Sequence, residues 1–183
     1  MFRNLEPIVG LSRAWGIRVL TAYPLSCENL RRPKAEVENL MCLCERFIGD
    51  NIDKFSRQGI RLQVIGDASK MPGSLRRAAA EADEATRHNS QLHVMLGLCY
   101  SGRWDFAQAC QELARAARAN ELSPDDIHES LLAGRLATSA AGEFSYADLV
   151  IRTGGELRRS NTTGLGLFAE CQEHSAKALL HSA

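Results

Sequence analysis

The sequence predicts an α/β domain built on a mainly parallel sheet flanked by helices. Three observations lead there. Short apolar runs rich in β-branched residues alternate with longer segments of helical periodicity. Glycine, aspartate or proline turns end the runs. No internal repeat, low-complexity tract or linker interrupts the alternation, and 183 residues suit one domain large enough to bury a core.

The chain opens within an amphipathic pattern, with Leu5, Ile8, Val9 and Leu11 on one side of a helix. Residues 17–23, "IRVLTAY", read as a buried strand entered through Gly16, and a polar segment with Pro24 and Pro33 follows. Val37, Leu40, Met41, Cys44, Phe47, Ile48, Ile52 and Phe55 recur at helical spacing, predicting a long helix over 34–56. Residues 60–67, "IRLQVIGD", are the second strand, closed by a glycine-aspartate turn. Pro72 and Ser74 open an alanine-rich helix to His88, and "QLHVMLGLCY" supplies the third strand. A further helix is predicted over 104–118, a short one with a proline start at "SPDDIHESLLAG", and a fourth strand at "ADLVI". The stretch 162–183 fits no element: "TTGLGLF" suits neither helix nor strand.

Lysine plus arginine, 22, equals aspartate plus glutamate, 22, so no global field favours nucleic acid or an anionic membrane. Nothing alternates basic and aromatic residues as single-strand binders do. No apolar run reaches the ~18 residues of a membrane span, and "MFRNLEPIVG" lacks the basic-then-apolar build of a signal peptide. Cys27, Cys42, Cys44, Cys99, Cys110 and Cys171 show neither disulfide nor zinc spacing. Four of the six lie in apolar patterns, and Cys42 and Cys44 point in different directions on their helix. Buried reduced thiols in a reducing compartment are therefore expected.

In an open parallel sheet, ligands bind beyond the carboxyl ends of the strands. The four strands lead into "PLSCENLRRPK", "GDASK", "CYSGRWD" and "RTGGELRRS". Six cations fall in the first and last of these loops: Arg31, Arg32, Lys34, Arg152, Arg158 and Arg159. Arginine suits phosphate because its planar fork offers paired donors and keeps its charge. Gly154 and Gly155 let backbone N–H groups approach the same oxygens, and Ser160 adds a hydroxyl. Taken singly, each cation reads better as a solvated surface charge. As a set at strand ends they read as a polyanion site of diphosphate size. No G-x-x-x-x-G-K-[ST] is present and no G-x-G-x-x-G follows a strand, so nucleotide binding has little support. His88 and His128 are expected to be exposed and His93 to point outward from its strand. His174 and His181, near Cys171, carry little weight as a metal pair.

Read together, "YPLSCENLRRPKAEVENLM", "VIGD", "CYSGRWDFAQA" and "ADLVIRTGGELRRSN" resemble, in this order, the motif blocks of the cis-prenyltransferases. That family includes undecaprenyl diphosphate synthase and the plant and yeast dehydrodolichyl diphosphate synthases. The resemblance runs over 1–161, and the serine of "YSGRWD" is most like the plant branch. It implies an undecaprenyl diphosphate synthase-like α/β sheet enclosing an apolar tunnel, in a homodimer or a heteromer with a related subunit. It also implies condensation of isopentenyl diphosphate with an allylic diphosphate in polyprenol or dolichol biosynthesis, with magnesium (Mg2+) assisting departure of the allylic diphosphate. By position, Arg152, Arg158 and Ser160 match the residues that hold isopentenyl diphosphate. Ser26, Asn29 and Arg32 match the block that positions the substrates, with Ser26 and Asn29 helping proton removal and Arg32 binding substrate. Glu28 and Glu156 match acidic positions expected to orient the arginines.

Departures from the family pattern are equally legible. The family's first motif, whose aspartate binds the allylic diphosphate and magnesium, falls upstream of Met1. Leu30 stands for a usual tryptophan and Cys99 for a frequent asparagine. After Asn161 the expected apolar run is replaced by a divergent tail over 162–183, where Glu170 falls one position short of a metal-binding glutamate. No metal ligand is assigned within the chain. Alongside the transferase reading stands an inactive remnant or a non-catalytic partner subunit. Little or no transfer by these residues on their own is expected. The expected location is the cytoplasm or the endoplasmic-reticulum surface, with the plastid if a transit peptide lies upstream. Two structural expectations follow. The loops after the first and fourth strands should bring Arg32, Arg152 and Arg158 together. Leu40, Cys44, Phe47 and Ile48 should face the sheet, around a tunnel or within a filled core.

Overall fold

The computed structural model describes residues 2–153 and 172–176. It forms two compact units, Met1–Ser101 and Gly102–Ala183.

In the first unit, helix α1 (Phe2–Ala14) precedes strand β1 (Val19–Ser26). Helix α2 (Lys34–Arg57), strand β2 (Ile60–Ile65), helix α3 (Gly73–Thr86) and strand β3 (Leu92–Tyr100) follow. The strands form one parallel sheet in the order β1-β3-β2. Every element matches the periodicity reading, but β1 runs three residues beyond the predicted end at Tyr23, through Pro24 to Ser26. Proline removes one ladder donor, which a strand tolerates at an edge or a bulge. Here β1 is an edge of its sheet, and its register with β3 shifts between Ala22 and Leu25 and again before Ser26.

Alternate residues of each strand face one core. Leu92, Val94, Leu96 and Leu98 of central β3 are fully buried beside Ile60 and Leu62 of β2. Onto them pack Leu5 and Val9 from α1, Met41, Cys44, Phe47, Ile48 and Phe55 from α2, and Leu75 and Ala82 from α3. Each leucine, valine, isoleucine, phenylalanine or methionine among them contributes about 1.5–3 kcal/mol when fully buried, so this cluster holds the unit together. Cys44, Phe47 and Ile48 thus face the sheet as expected, and Leu40 packs at the margin. They sit in a packed core, and the described residues show no tunnel beside them.

The end of α3 also shields the edge of β2. The Leu62 N–H donates to Thr86 Oγ1 at 2.9 Å, while the Thr86 hydroxyl donates to the Ala82 carbonyl at 2.6 Å. Asn89 Nδ2 donates to the Ile60 carbonyl at 2.9 Å. Strand groups that would otherwise seek another strand are thereby occupied.

Two sequence expectations need correction. Cys44 and Cys99 are buried and Cys27 is half-buried, but Cys42 and Cys110 are exposed and all five are free. Both exposed thiols lie on outer faces of amphipathic helices, where a small apolar residue carries little directional information. His88 and His128 are exposed as expected. His93 instead sits half-buried on the second face of the sheet, its Nε2 3.0 Å from Gln63 Oε1. Burial, and then the neighbouring Arg61 cation, lower its pKa from 6.5 to about 4.

The second unit contains helix α4 (Gly102–Arg118), a 3-10 turn (Pro124–Asp126) and helix α5 (Glu129–Ala133). A longer 3-10 segment (Ala137–Phe144) and strands β4 (Leu149–Thr153) and β5 (Gln172–Ala176) complete it. Ala109, Leu132 and Leu136 make a small apolar cluster. Beside it both carboxylate oxygens of buried Asp105 accept from the Ala137 N–H, at 3.0 and 3.1 Å. The predicted fourth strand exists as β4, but it pairs in parallel with β5 as a separate two-stranded sheet. β5, "QEHSA", lies in the stretch that fitted no element. It has no apolar alternation to reveal it, and backbone pairing alone defines it.

Two predictions follow. Gly66, at φ +129°, lies so close to β3 that a Cβ would stand 2.0 Å from the Leu98 carbonyl oxygen. Gly66→Ala is expected to lower stability by roughly 2–4 kcal/mol, read as a fall in the urea midpoint; an unchanged midpoint would show that the end of β2 yields freely. His93 binds its proton more tightly unfolded (6.5) than folded (about 4). Stability is therefore complete above pH 6.5 and declines as pH falls towards 4. The decline in that window should shrink in His93→Gln, and identical pH profiles for the two proteins would contradict this.

Candidate active site

The carboxyl ends of the three parallel strands carry the first three candidate loops. At the end of β1, Ser26 takes an extended conformation and its Oγ accepts from the Asn29 N–H at 3.3 Å. That bond caps a 3-10 turn over Cys27–Arg31, and the Arg32 N–H closes it on the Asn29 carbonyl at 3.1 Å. Ser26, Asn29 and Arg32 are therefore brought together on one turn. Pro33 then launches α2 with its φ already suited to a helix start. Leu30, in the place of the expected tryptophan, packs against the core and pins the turn from below.

The side chains differ in what they offer. Ser26 and Asn29 are half-buried. The Ser26 oxygen is engaged as an acceptor, which leaves its O–H as a donor. Arg32 is exposed and pairs with Glu36 at 2.7 Å rather than with Glu28, which is exposed. An exposed pair of this kind is worth about 0–1 kcal/mol, so an incoming anion displaces Glu36 at little cost.

The loops after β2 and β3 meet the same turn. The Asp67 N–H donates to the Cys99 carbonyl at 3.2 Å, and the Cys27 Sγ–H donates to the same carbonyl at 2.8 Å. One backbone oxygen thus gathers all three strand ends. It is aimed by Cys99 itself, which holds a left-handed φ of 51°. Asparagine enters that region more readily than most residues, a physical reason for the asparagine that Cys99 replaces. The Asp67 carboxylate accepts from the Ser69 N–H at 3.0 Å and the Ser69 hydroxyl at 2.6 Å, fixing the turn Ala68–Lys70. Behind the site, Tyr23 and Tyr100 pack with ring centroids 5.3 Å apart. A Cβ on Gly97 would stand 2.4 Å from Tyr23.

Burial, then the Asp67 charge, raise the Cys27 pKa. Burial, followed by Cys27 and Asp67, raises Cys99 to about 11, and burial raises Cys44 to about 12. All three thiols are protonated at neutral pH. The turn therefore offers a hydroxyl, a carboxamide and a guanidinium without a competing thiolate.

The other predicted residues divide differently. Arg152 lies on β4 in the second unit, and its side chain is outside the described residues. Glu156, Arg158 and Ser160 lie outside the described residues, as do Glu170, Cys171 and His181. The expected convergence of Arg32 with Arg152 and Arg158 falls there too. Among the described residues no three His, Cys, Asp or Glu side chains gather to hold a metal ion. They do not by themselves furnish a magnesium site. The sequence reading missed the contact of Cys27 with Cys99. The only hint was a cysteine at a position that favours a left-handed residue.

Comparisons with known proteins agree with the motif order. A family model described as putative undecaprenyl diphosphate synthase matches residues 1–165. A chloroplastic dehydrodolichyl diphosphate synthase of Solanum lycopersicum, CPT5, is 45% identical over 159 residues, 87% of this chain and 50% of the relative. Dehydrodolichyl diphosphate synthase 2 of Arabidopsis thaliana is 40% identical over 86% of this chain and 50% of its own length. The chain spans about half the length of these curated relatives. Lavandulyl diphosphate synthase from Lavandula x intermedia, solved in complex with dimethylallyl diphosphate, superposes with a TM-score of 0.90 at 30% identity. That match covers 95% of this chain and 74% of the other. A probable undecaprenyl diphosphate synthase from Campylobacter jejuni shares the fold at a TM-score of 0.81 and 24% identity, over 97% of this chain and 79% of the other. With its motif blocks in order, its parallel sheet and its strand-end turn, this chain belongs to the undecaprenyl diphosphate synthase family of cis-prenyltransferases.

Proposed function

We propose that this chain carries the isopentenyl diphosphate half of a cis-prenyl chain-elongating transferase, which joins that substrate to an allylic diphosphate. The observation that carries the reading is the capped turn at the end of β1, which presents Ser26, Asn29 and Arg32 together in a chain of this family. Arg32 supplies charge for a diphosphate, and by motif match Arg152, Arg158 and Ser160 are assigned to binding isopentenyl diphosphate. Ser26 and Asn29 orient the reacting end and assist loss of its proton.

Magnesium, when bound, would neutralise the charge that develops on the departing allylic diphosphate. The names of relatives support an isoprenoid product, and the chloroplastic ones support a plastid location. No helix among the described residues is long and apolar enough to cross a membrane. Assembly with a second copy or a related subunit fits the family reading.

Calorimetric titration tests the first part. Isopentenyl diphosphate should bind, and Arg152→Ala or Arg158→Ala should weaken it about 10- to 100-fold, the loss of one charge-assisted contact. Equal affinity in the variants would remove those arginines from the site. Radiolabelled isopentenyl diphosphate, farnesyl diphosphate and magnesium test the second part in the protein containing this chain. Asn29→Ala should cut label in extractable polyprenyl product on the order of 100-fold. Binding with no labelled product would favour the non-catalytic partner.

A further inference from the structure

We propose that Cys27 and Cys99 form a reversible disulfide that locks the Cys27–Arg31 turn onto the carboxyl end of β3, with a small disulfide such as glutathione disulfide as the oxidant. Neither thiol has a part in the prenyl-transfer reading above. What distinguishes the pair is its geometry. Cys27 Sγ stands 2.8 Å from the Cys99 carbonyl oxygen. Bonds of about 1.2 and 1.5 Å separate that oxygen from the Cys99 Cα, so the sulfur lies within roughly 5 Å of the Cα. Cys27 follows Ser26, the last residue of β1, which pairs with Tyr100 beside Cys99 on β3. Adjacent strands lie about 4.8 Å apart, and Cα atoms joined by a disulfide are ~4.4–6.8 Å apart. The charge of Cys27 also contributes to raising the Cys99 pKa.

Access is asymmetric in the way that exchange requires. Cys27 is half-buried, whereas Cys99 is fully buried. The Cys27 thiolate attacks one sulfur of glutathione disulfide, forming a mixed disulfide and expelling one glutathione thiolate. The Cys99 thiolate then attacks Cys27 Sγ and expels the second. Two protein thiols are oxidised, one glutathione disulfide is reduced, and the two protons end on the two released glutathiones. No oxidant needs to reach Cys99. Cys44, buried in the core on α2, is also near enough to Cys99 for Cys99 to help raise its pKa, so a Cys44–Cys99 link is the competing product.

The raised pKa values set the rate. Burial is the largest influence raising Cys27, followed by Asp67. Its backbone hydrogen bond and then Lys70 lower it, Glu28 raises it slightly, and Cys27 stays protonated at neutral pH. Exchange is accordingly slow there and should accelerate roughly tenfold per pH unit below the thiol pKa.

The test uses the whole chain incubated with glutathione disulfide and then digested without reductant. A peptide linking Cys27 to Cys99 should appear, form faster as pH rises, and vanish with dithiothreitol. It should be absent in Cys27→Ser and retained in Cys42→Ser/Cys110→Ser. Cys27→Ser keeps the test meaningful even if a change at buried Cys99 prevents folding. Amide hydrogen exchange across 27–31 should slow several-fold in the oxidised chain. Cys27 recovered only as its glutathione adduct, unmodified, or joined to another cysteine would overturn the proposal. A linked peptide with unchanged exchange across 27–31 would overturn the lock.

Discussion

The carbonyl oxygen of Cys99 receives two donors from two different loops, the Asp67 N–H and the Cys27 thiol. Through it the ends of β1, β2 and β3 are held to one point, and the candidate site inherits its shape from that point. The oxygen is aimed correctly only because Cys99 takes a left-handed backbone conformation. Glycine at position 66 lets β2 approach β3 closely enough for the Asp67 bond to form. Remove either backbone feature and the turns after β1 and β2 lose their common anchor.

Rigidity below the site and displaceability above it serve the same end. Leucines and a valine on alternate positions of β3 are fully buried beneath the site. Leu30 extends that packing into the turn itself. Arg32, by contrast, is exposed and held by a weak partner one helical turn away. The capped turn between Ser26 and Arg32 thus combines a fixed backbone with a weakly held charge.

Protonated thiols around this point follow from the same packing. Burial is the first cause of the raised pKa at Cys27, Cys44 and Cys99, and the Asp67 carboxylate adds to it at Cys27 and Cys99. The protein thus keeps these three sulfur atoms uncharged. Cys42 and Cys110, exposed on their helices, show that cysteine as such is not excluded from solvent here.

Much was determined by the sequence alone. Periodicity of 3.6 and runs of β-branched residues placed α2, β2, α3, β3 and α4 close to their observed bounds, because burial of one helix face or one sheet face leaves that imprint on residue order. Motif order placed Ser26, Asn29 and Arg32 on a loop after a strand, and the structure puts them on one capped turn. Tertiary structure alone decided the rest. β1 continues through Pro24 because an edge strand with a shifted register can spare the missing N–H. β5 exists through pairing with β4, and polar residues carry no trace of a partner distant in sequence. His93 is half-buried because of what covers the second face of the sheet, which strict alternation cannot report. The meeting of Cys27 with Cys99 arises from a bulge and a positive φ, backbone features that a cysteine codon does not announce.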